Sequence, residues 1–144
     1  MQGQPAHLVI TLDGEQVLAY AGFMSSDQFS GQGVLDFTHC KLMGHFSDGL
    51  FQNGLIFYKN GDKYLGKFNN GKMSGKSLGV LTCASGDVYE GDFNGRFIPI
   101  MEGVGKMVFK NGTQYLGDFK NNFFEGEGQY TFADGKIYQG QFKN

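Results

Sequence analysis

The sequence predicts an all-β protein built as a solenoid of short antiparallel β-hairpins, and three observations carry that reading. The pentapeptide Tyr-x-Gly-x-Phe recurs four times without error, as Tyr64-Leu65-Gly66-Lys67-Phe68, Tyr89-Glu90-Gly91-Asp92-Phe93, Tyr115-Leu116-Gly117-Asp118-Phe119 and Tyr138-Gln139-Gly140-Gln141-Phe142, with a weaker copy in Leu42-Met43-Gly44-His45-Phe46. Successive copies start 22, 25, 26 and 23 residues apart, a spacing typical of stacked repeats. A glycine stands ten residues before each perfect copy (Gly54, Gly79, Gly105, Gly128), and Gly33 stands nine before Leu42. Between glycine and tyrosine lies a turn dipeptide, Asn60-Gly61, Ser85-Gly86, Asn111-Gly112 or Asp134-Gly135, of the kind that supplies the positive φ angles of tight hairpins. Each unit therefore reads as strand, turn, strand and a longer return loop.

Taken in order, the single array runs over 1–144. It opens with an atypical N-terminal half-repeat over about 7–41 and continues with repeats starting near 42, 64, 89, 115 and 138. At the front, His7 to Val17 mimics a half-unit with Asp13-Gly14 as its turn. The strand that follows has two registers, one through Val17-Leu18-Ala19-Tyr20-Ala21 and one through Tyr20-Ala21-Gly22-Phe23-Met24. The first is preferred, because Gly33 then lies sixteen residues after Val17, as Gly105 does after Tyr89. Terminal repeats are often atypical because they cap the stack.

Alternate residues of a strand share a face, so Tyr64, Gly66 and Phe68 point one way and Leu65 and Lys67 the other. The same holds for Tyr89, Gly91 and Phe93, for Tyr115, Gly117 and Phe119, and for Tyr138, Gly140 and Phe142. A glycine between two aromatics leaves a gap across which a ring of the neighbouring strand can lie. One hairpin alone is marginal in water. Stability must come from unit-to-unit stacking of rings that bury roughly 150–250 Å² each, and the aromatic columns are read as a structural ladder.

Composition narrows the function classes. The chain carries 24 glycines and 22 Phe plus Tyr, with 12 basic and 14 acidic residues. It shows no basic stripe of the kind nucleic-acid binding uses and no apolar run of membrane-spanning length. The N-terminus lacks the basic-then-apolar pattern of a signal peptide. Cys40 and Cys83 have no paired spacing, which points to a reduced, intracellular and cytoplasmic chain.

Catalytic chemistry finds no constellation. His7, His39 and His45 fall in different units, and none has a carboxylate or cysteine at ligand spacing; zinc would need three or four convergent ligands. His39 and Cys40 are adjacent and point to opposite faces if the segment stays extended. Ser25, Ser26, Ser74 and Ser85 sit in loops or turns outside any strand-turn-helix elbow. Asp87, Glu90, Asp92 and Asp118 are scattered on a solvated face. Gly31-Gln32-Gly33, Gly103-Val104-Gly105 and Gly126-Glu127-Gly128 lack the helix and lysine of a phosphate loop. No catalytic, cofactor or metal residue is assigned.

The whole pattern resembles the MORN repeat family, whose unit runs Tyr-x-Gly-x-Phe/Trp, a polar loop, Gly-x-Gly, an aromatic strand and a Gly turn. The segment Phe124-Glu125-Gly126-Glu127-Gly128-Gln129-Tyr130-Thr131-Phe132-Ala133-Asp134-Gly135 matches almost fully. The resemblance covers about 7–144. It implies an elongated single sheet, twisted and curved with a groove, and a non-catalytic scaffold or adaptor. It also places MORN-only proteins in cilia, flagella, sperm structures and cytoskeletal assemblies. Such repeats have been proposed to bind anionic lipid head groups through basic loops. The return loops here are instead Phe23-Met24-Ser25-Ser26, Leu50-Phe51-Gln52-Asn53, Lys72-Met73-Ser74, Phe97-Ile98-Pro99-Ile100-Met101 and Asn121-Asn122-Phe123-Phe124-Glu125. With only Lys72, Lys76 and Arg96 basic among them, a peripheral membrane tether is the alternative and not the leading reading.

Protein binding is favoured by those apolar loops, Phe97 and Ile98 above all, and by an apolar stripe opposite the ladder. That stripe comprises Val34, Leu55, Phe57, Val80 and Val108, with Leu8 and Ile10 continuing it and Gln129 and Thr131 ending it. A one-layer ribbon leaves such a stripe open, and an exposed apolar patch marks an interaction site. The stripe, or a groove lined by Tyr and Phe, suits an amphipathic partner helix. An open edge strand favours end-to-end assembly or a homodimer.

Overall fold

Strands follow one another across a single antiparallel sheet in chain order. The computed structural model describes residues 10–12, 15–69, 71–73 and 79–143. Among these the strands are β1 (Ile10–Leu12), β2 (Glu15–Ser25), β3 (Gln28–Phe37), β4 (Cys40–Ser47), β5 (Leu50–Tyr58), β6 (Lys63–Lys67), β7 (Gly79–Thr82), β8 (Val88–Asn94), β9 (Ile100–Val108), β10 (Gln114–Lys120), β11 (Phe123–Thr131) and β12 (Ile137–Phe142). Each pairs only with its chain neighbours, so the sheet is open, with β1 and β12 at its edges. No helix occurs among the described residues.

A row of glycines crosses the sheet. Gly22, Gly33, Gly44, Gly54 and Gly66 are cross-strand partners in turn, and so are Gly79, Gly91, Gly105, Gly117, Gly128 and Gly140. The reason is steric. A Cβ on Gly66 or on Gly79 would lie 2.5 Å from the Tyr64 hydroxyl. The ring that fills the gap thus comes from the same strand, two residues earlier, and reaches over the glycine of the next strand. A ring from the neighbouring strand does cover Gly33, Gly79, Gly105 and Gly128, while for a glycine between two aromatics, such as Gly66, the expectation is corrected: Tyr and Gly two apart share a face, and the tyrosine of its own strand lies along it. Its hydroxyl donates to the carbonyl three residues on, Tyr20 to Phe23 at 2.8 Å, Tyr89 to Asp92 at 2.7 Å and Tyr115 to Asp118 at 2.8 Å.

Phenylalanines lock these rings edge-on. Tyr89 is held between Phe93, at 4.9 Å and 87°, and Phe119 of the next unit, at 4.8 Å and 81°. Tyr64 sits likewise between Phe68 and Phe93, and Tyr115 between Phe119 and Phe142. T-shaped contact is the favourable geometry for aromatic quadrupoles. It also makes each unit depend on the next.

The same geometry sets the first register. Tyr20 covers Gly22 and Gly33 and pairs with Leu35, so the first unit starts at Tyr20 and the Val17 register is wrong. Val17 is buried on the ladder side opposite Phe37. Register shifts between Val17 and Ala19 and between Gly22 and Phe23 displace the spacing on which that preference rested. The Asp13-Gly14 turn, His7, Leu8 and the side chain of Ile10 lie outside the described residues.

Turns are of two kinds. At the Asn-Gly type, Gly61 N donates to Tyr58 O at 3.0 Å and Tyr58 N to Asp62 O at 2.9 Å, and Cys83, Phe109 and Phe132 open equivalent turns. Of each turn dipeptide only the glycine takes positive φ (99°, 103°, 93° and 93°), giving a three-residue loop with a bulged glycine. The preceding residue instead accepts the N–H two residues on. Asn60 does so from Asp62 at 2.9 Å, Asn111 from Thr113 at 2.9 Å and Asp134 from Lys136 at 3.0 Å. Neighbouring turns are tied as well, since the carboxylates of Asp62 and Asp87 accept the N–H groups of Ala84 and Lys110, each at 2.8 Å.

The return loops are shorter than the sequence reading held. Ser26-Asp27, Asp48-Gly49 and Asn121-Asn122 are two-residue turns in which both residues have positive φ, the hairpin geometry that matches strand twist. Phe23, Met24 and Ser25 therefore belong to β2, Leu50–Asn53 to β5 and Phe123–Glu125 to β11. Their apolar alternation continues the strands.

The return between β8 and β9 leaves the sheet. Its residues 95–99 form a strap. Phe97 packs on Phe37 of β3 with ring centroids 5.0 Å apart, and the Phe97 carbonyl accepts the Tyr58 hydroxyl of β5. In a flat sheet β3 and β8 would stand roughly 24 Å apart, five steps of about 4.8 Å. The contact requires the sheet to curve toward its ladder face, so that the strap after β8 reaches β3 and β5.

Candidate functional site

The two faces of the ribbon offer different surfaces. On the ladder face the rings bury one another: Tyr89 and Tyr115 are 0% exposed, Tyr64 and Phe93 1%. Burial pushes the Tyr64 hydroxyl up to about 12. It also raises Tyr89 and Tyr58, with Asp92 adding to the first and Cys40 to the second. These hydroxyls stay protonated at any physiological pH. The Tyr/Phe groove expected from the sequence is therefore filled by its own side chains and crossed by the strap. Among the described residues it opens toward β12, where Phe132 and Tyr138 are half exposed.

The other face carries an apolar row. Strand pairing sets Ala21 beside Val34, Val34 beside Met43, Met43 beside Leu55, Leu55 beside Leu65 and Leu65 beside Val80. From there the row becomes mostly polar, through Glu90, Lys106, Gln129 and Gln139, with Leu116 as a single apolar member. Val34, Leu55 and Val80 are half-buried, while Met43 and Leu65 are 42% and 52% exposed. Strands pack chiefly on their chain neighbours, and no described element covers this face.

The structure thus brings Val34, Leu55 and Val80 together and adds Met43 and Leu65, which sequence reasoning missed. Their signal was present, since both occupy the x position of the pentapeptide, outward-facing by alternation. Phe57 lies one row away, between Lys41 and Lys63, and Val108 lies in that same row farther along, between Val88 and Gln114. Phe97 is corrected: at 9% exposed it is a core residue of the strap, whereas Ile98 beside it is 74% exposed.

Beneath the strap is a cavity of about 290 Å³ lined by Phe37, Cys40, Tyr58, Phe97, Ile98 and Ile100, with His39 and Arg96. His39 lies in a bend and Cys40 begins β4, so the two do not share one extended segment. Both cysteines are unbridged. Asp87 and Asp92, partly exposed, also accept backbone N–H groups, Asp87 that of Lys110 at 2.8 Å and Asp92 that of Val104 at 3.2 Å. Among the described residues no three His, Cys, Asp or Glu side chains converge as metal ligands.

The pentapeptide ladder, the glycine row and the hairpin turns agree with the family comparison, in which the model of the MORN repeat matches residues 20–38, 64–88, 100–114 and 115–137, more than half of the chain. The chain belongs to the MORN repeat family. The first match begins at Tyr20, the residue whose ring covers the first glycine pair. No curated protein matches the chain. MORN repeats are in general modules for interaction with proteins or membranes, and the repeat is a non-enzymatic type.

Proposed function

We propose that the chain is a non-catalytic adaptor that docks a segment of a partner protein on the open face of its sheet, within an intracellular assembly such as a cilium, flagellum or cytoskeletal structure. The supporting observation is the uninterrupted row Val34–Met43–Leu55–Leu65–Val80, left uncovered by the described residues while the opposite face is filled by its own rings. Contiguous exposed apolar surface of this kind marks interaction sites. The runner-up, a peripheral membrane tether, would require a strong cationic surface, because each basic residue contributes only about 1 kcal/mol.

A photo-crosslinking side chain placed at Leu65, with Gln129 as the matched position in the other half, tests this in extract of ciliated cells. Protein adducts from Leu65 and few from Gln129 are expected. Equal labelling from both positions, or lipid adducts alone, would overturn the reading.

A further inference from the structure

We infer that the occupant of this face is an acidic amphipathic helix of a partner protein, lying across β2–β7; this rests on the adaptor reading above. The apolar row crosses these strands in five steps, a path of roughly 24 Å along the curved face at about 4.8 Å per step. A helix of about 16 residues has that length, and on the convex side of the curve its middle turns make the contact. The spacings agree as well. A helix laid across the strands presents its apolar stripe once per turn, about every 5.4 Å, against one sheet residue every ~4.8 Å.

Charge names the chemistry of the flanks. On one side of the apolar row lie Asp36, Lys41, Phe57 and Lys63, and on the other Gln32, His45, Asn53 and Lys67. Each flanking row is two residues away along the strand, about 7 Å, within reach of the sides of a helix about 10–12 Å wide. Three lysines stand there against one carboxylate, Asp36, which is itself paired with Lys41 at 3.7 Å. Past β7 the same face reverses sign, with Glu90, Asp118 and Glu127 against Lys106. The apolar row ends at that same point, where Val80 meets Glu90. Two unrelated properties change together, so the patch is not a by-product of the repeat. Apolar anchors between cationic rows fit a helix with one apolar stripe and acidic shoulders. A bilayer would gain little from three lysines spread among neutral residues.

Fluorescence anisotropy with labelled helical peptides of about 18 residues tests this. One peptide carries an apolar stripe with Glu shoulders, one the same stripe with Lys shoulders, and one Glu shoulders with Ser in the stripe. The Glu-shouldered apolar peptide is expected to bind at least about tenfold tighter than either other peptide, and more weakly as salt rises. Leu55→Asp with Leu65→Asp should abolish binding, Lys63→Glu with Lys67→Glu should weaken it about tenfold or more, and Gln129→Asp should leave it unchanged. Should the leucine variant unfold, the exposed lysine pair still decides. Equal binding of the Glu- and Lys-shouldered peptides would overturn the acidic preference and leave the docking face standing. Binding of neither, with protein adducts still forming at Leu65, would overturn the helix class alone. Binding of neither, with sedimentation on phosphatidylserine vesicles, would overturn both readings in favour of the membrane. A dimer by light scattering that Leu65→Asp dissociates would make a second copy the occupant and overturn the proposal.

Discussion

A Cβ on Gly105 would stand 2.3 Å from the hydroxyl oxygen of Tyr89 and 2.4 Å from its ring carbons. The ring cannot yield, because it is fully buried and held edge-on by Phe93 and Phe119. Gly105→Ala should therefore cost at least about 1–3 kcal/mol, as overpacking does. Urea unfolding in a double-mutant cycle isolates the cause. In a Tyr89→Ala background the cost of Gly105→Ala should fall by about 1 kcal/mol or more. An unchanged cost would place the constraint in the backbone.

The tyrosines differ in what their hydroxyls find. Tyr89 donates to the Asp92 carbonyl at 2.7 Å, whereas the buried Tyr64 hydroxyl has no partner among the described residues. Tyr89→Phe should thus cost about 0.5–1.5 kcal/mol. Tyr64→Phe should be neutral or stabilising, because it removes an unsatisfied polar group. Thermal melting of the two single variants gives the order.

Alkaline stability follows from the same burial. An unfolded tyrosine loses its proton near pH 10, while burial holds Tyr64 to about 12. Between these values the folded chain binds the extra proton, so stability is fully present below about pH 10 and falls as pH rises toward about 12. Urea midpoints measured across this window should decline for wild type. Tyr64→Phe should decline less steeply, and an equal slope would show that Tyr64 does not carry the effect.

Asp87 stitches one turn to the next through Lys110 N. Asp87→Ala removes that acceptor, and the Lys110 amide should exchange with solvent about fivefold to thirtyfold faster, corresponding to about 1–2 kcal/mol of local opening. The Thr113 amide, bonded to Asn111 within its own turn, serves as the internal reference and should change less.

The strap makes a sharp contrast between adjacent residues. Phe97 is buried against Phe37, and Ile98 is 74% exposed. Phe97→Ala should cost about 3–5 kcal/mol, whereas Ile98→Ala should stay within about 0.5 kcal/mol. Chemical unfolding of each variant checks both values.

The hairpin units were legible because their determinants are local. Tyr-x-Gly-x-Phe and the glycine ten residues before it pair directly, as Gly105 does with Gly117 and Gly128 with Gly140. Return turns were harder to see. Ser26-Asp27 and Asn121-Asn122 adopt positive φ without glycine, so the apolar residues beside them read as loop when they continue the strands. The register at Tyr20 was hidden by bulges, which change spacing without changing sequence pattern. Phe97 was misplaced for another reason: its burial depends on Phe37, sixty residues earlier, and no local pattern encodes how far a sheet coils. Half of the open-face row was legible as alternation in Val34, Leu55 and Val80. Met43 and Leu65 obey the same alternation in the pentapeptide strands, and pairing sets them between those residues; they were missed because the stripe was traced only in the strands before the turns.

The strap at 95–99 also changes the topology of the molecule. Units of a simple solenoid touch only their neighbours, and each can open at an end without disturbing the rest. Here the chain from Phe37 to Phe97 forms a closed circuit, fastened where the two rings meet. No strand between them can leave while that clasp holds. Strands β4–β8 therefore act as one cooperative block, whereas β10–β12, outside the circuit, are free to fray one hairpin at a time from Phe142 inward.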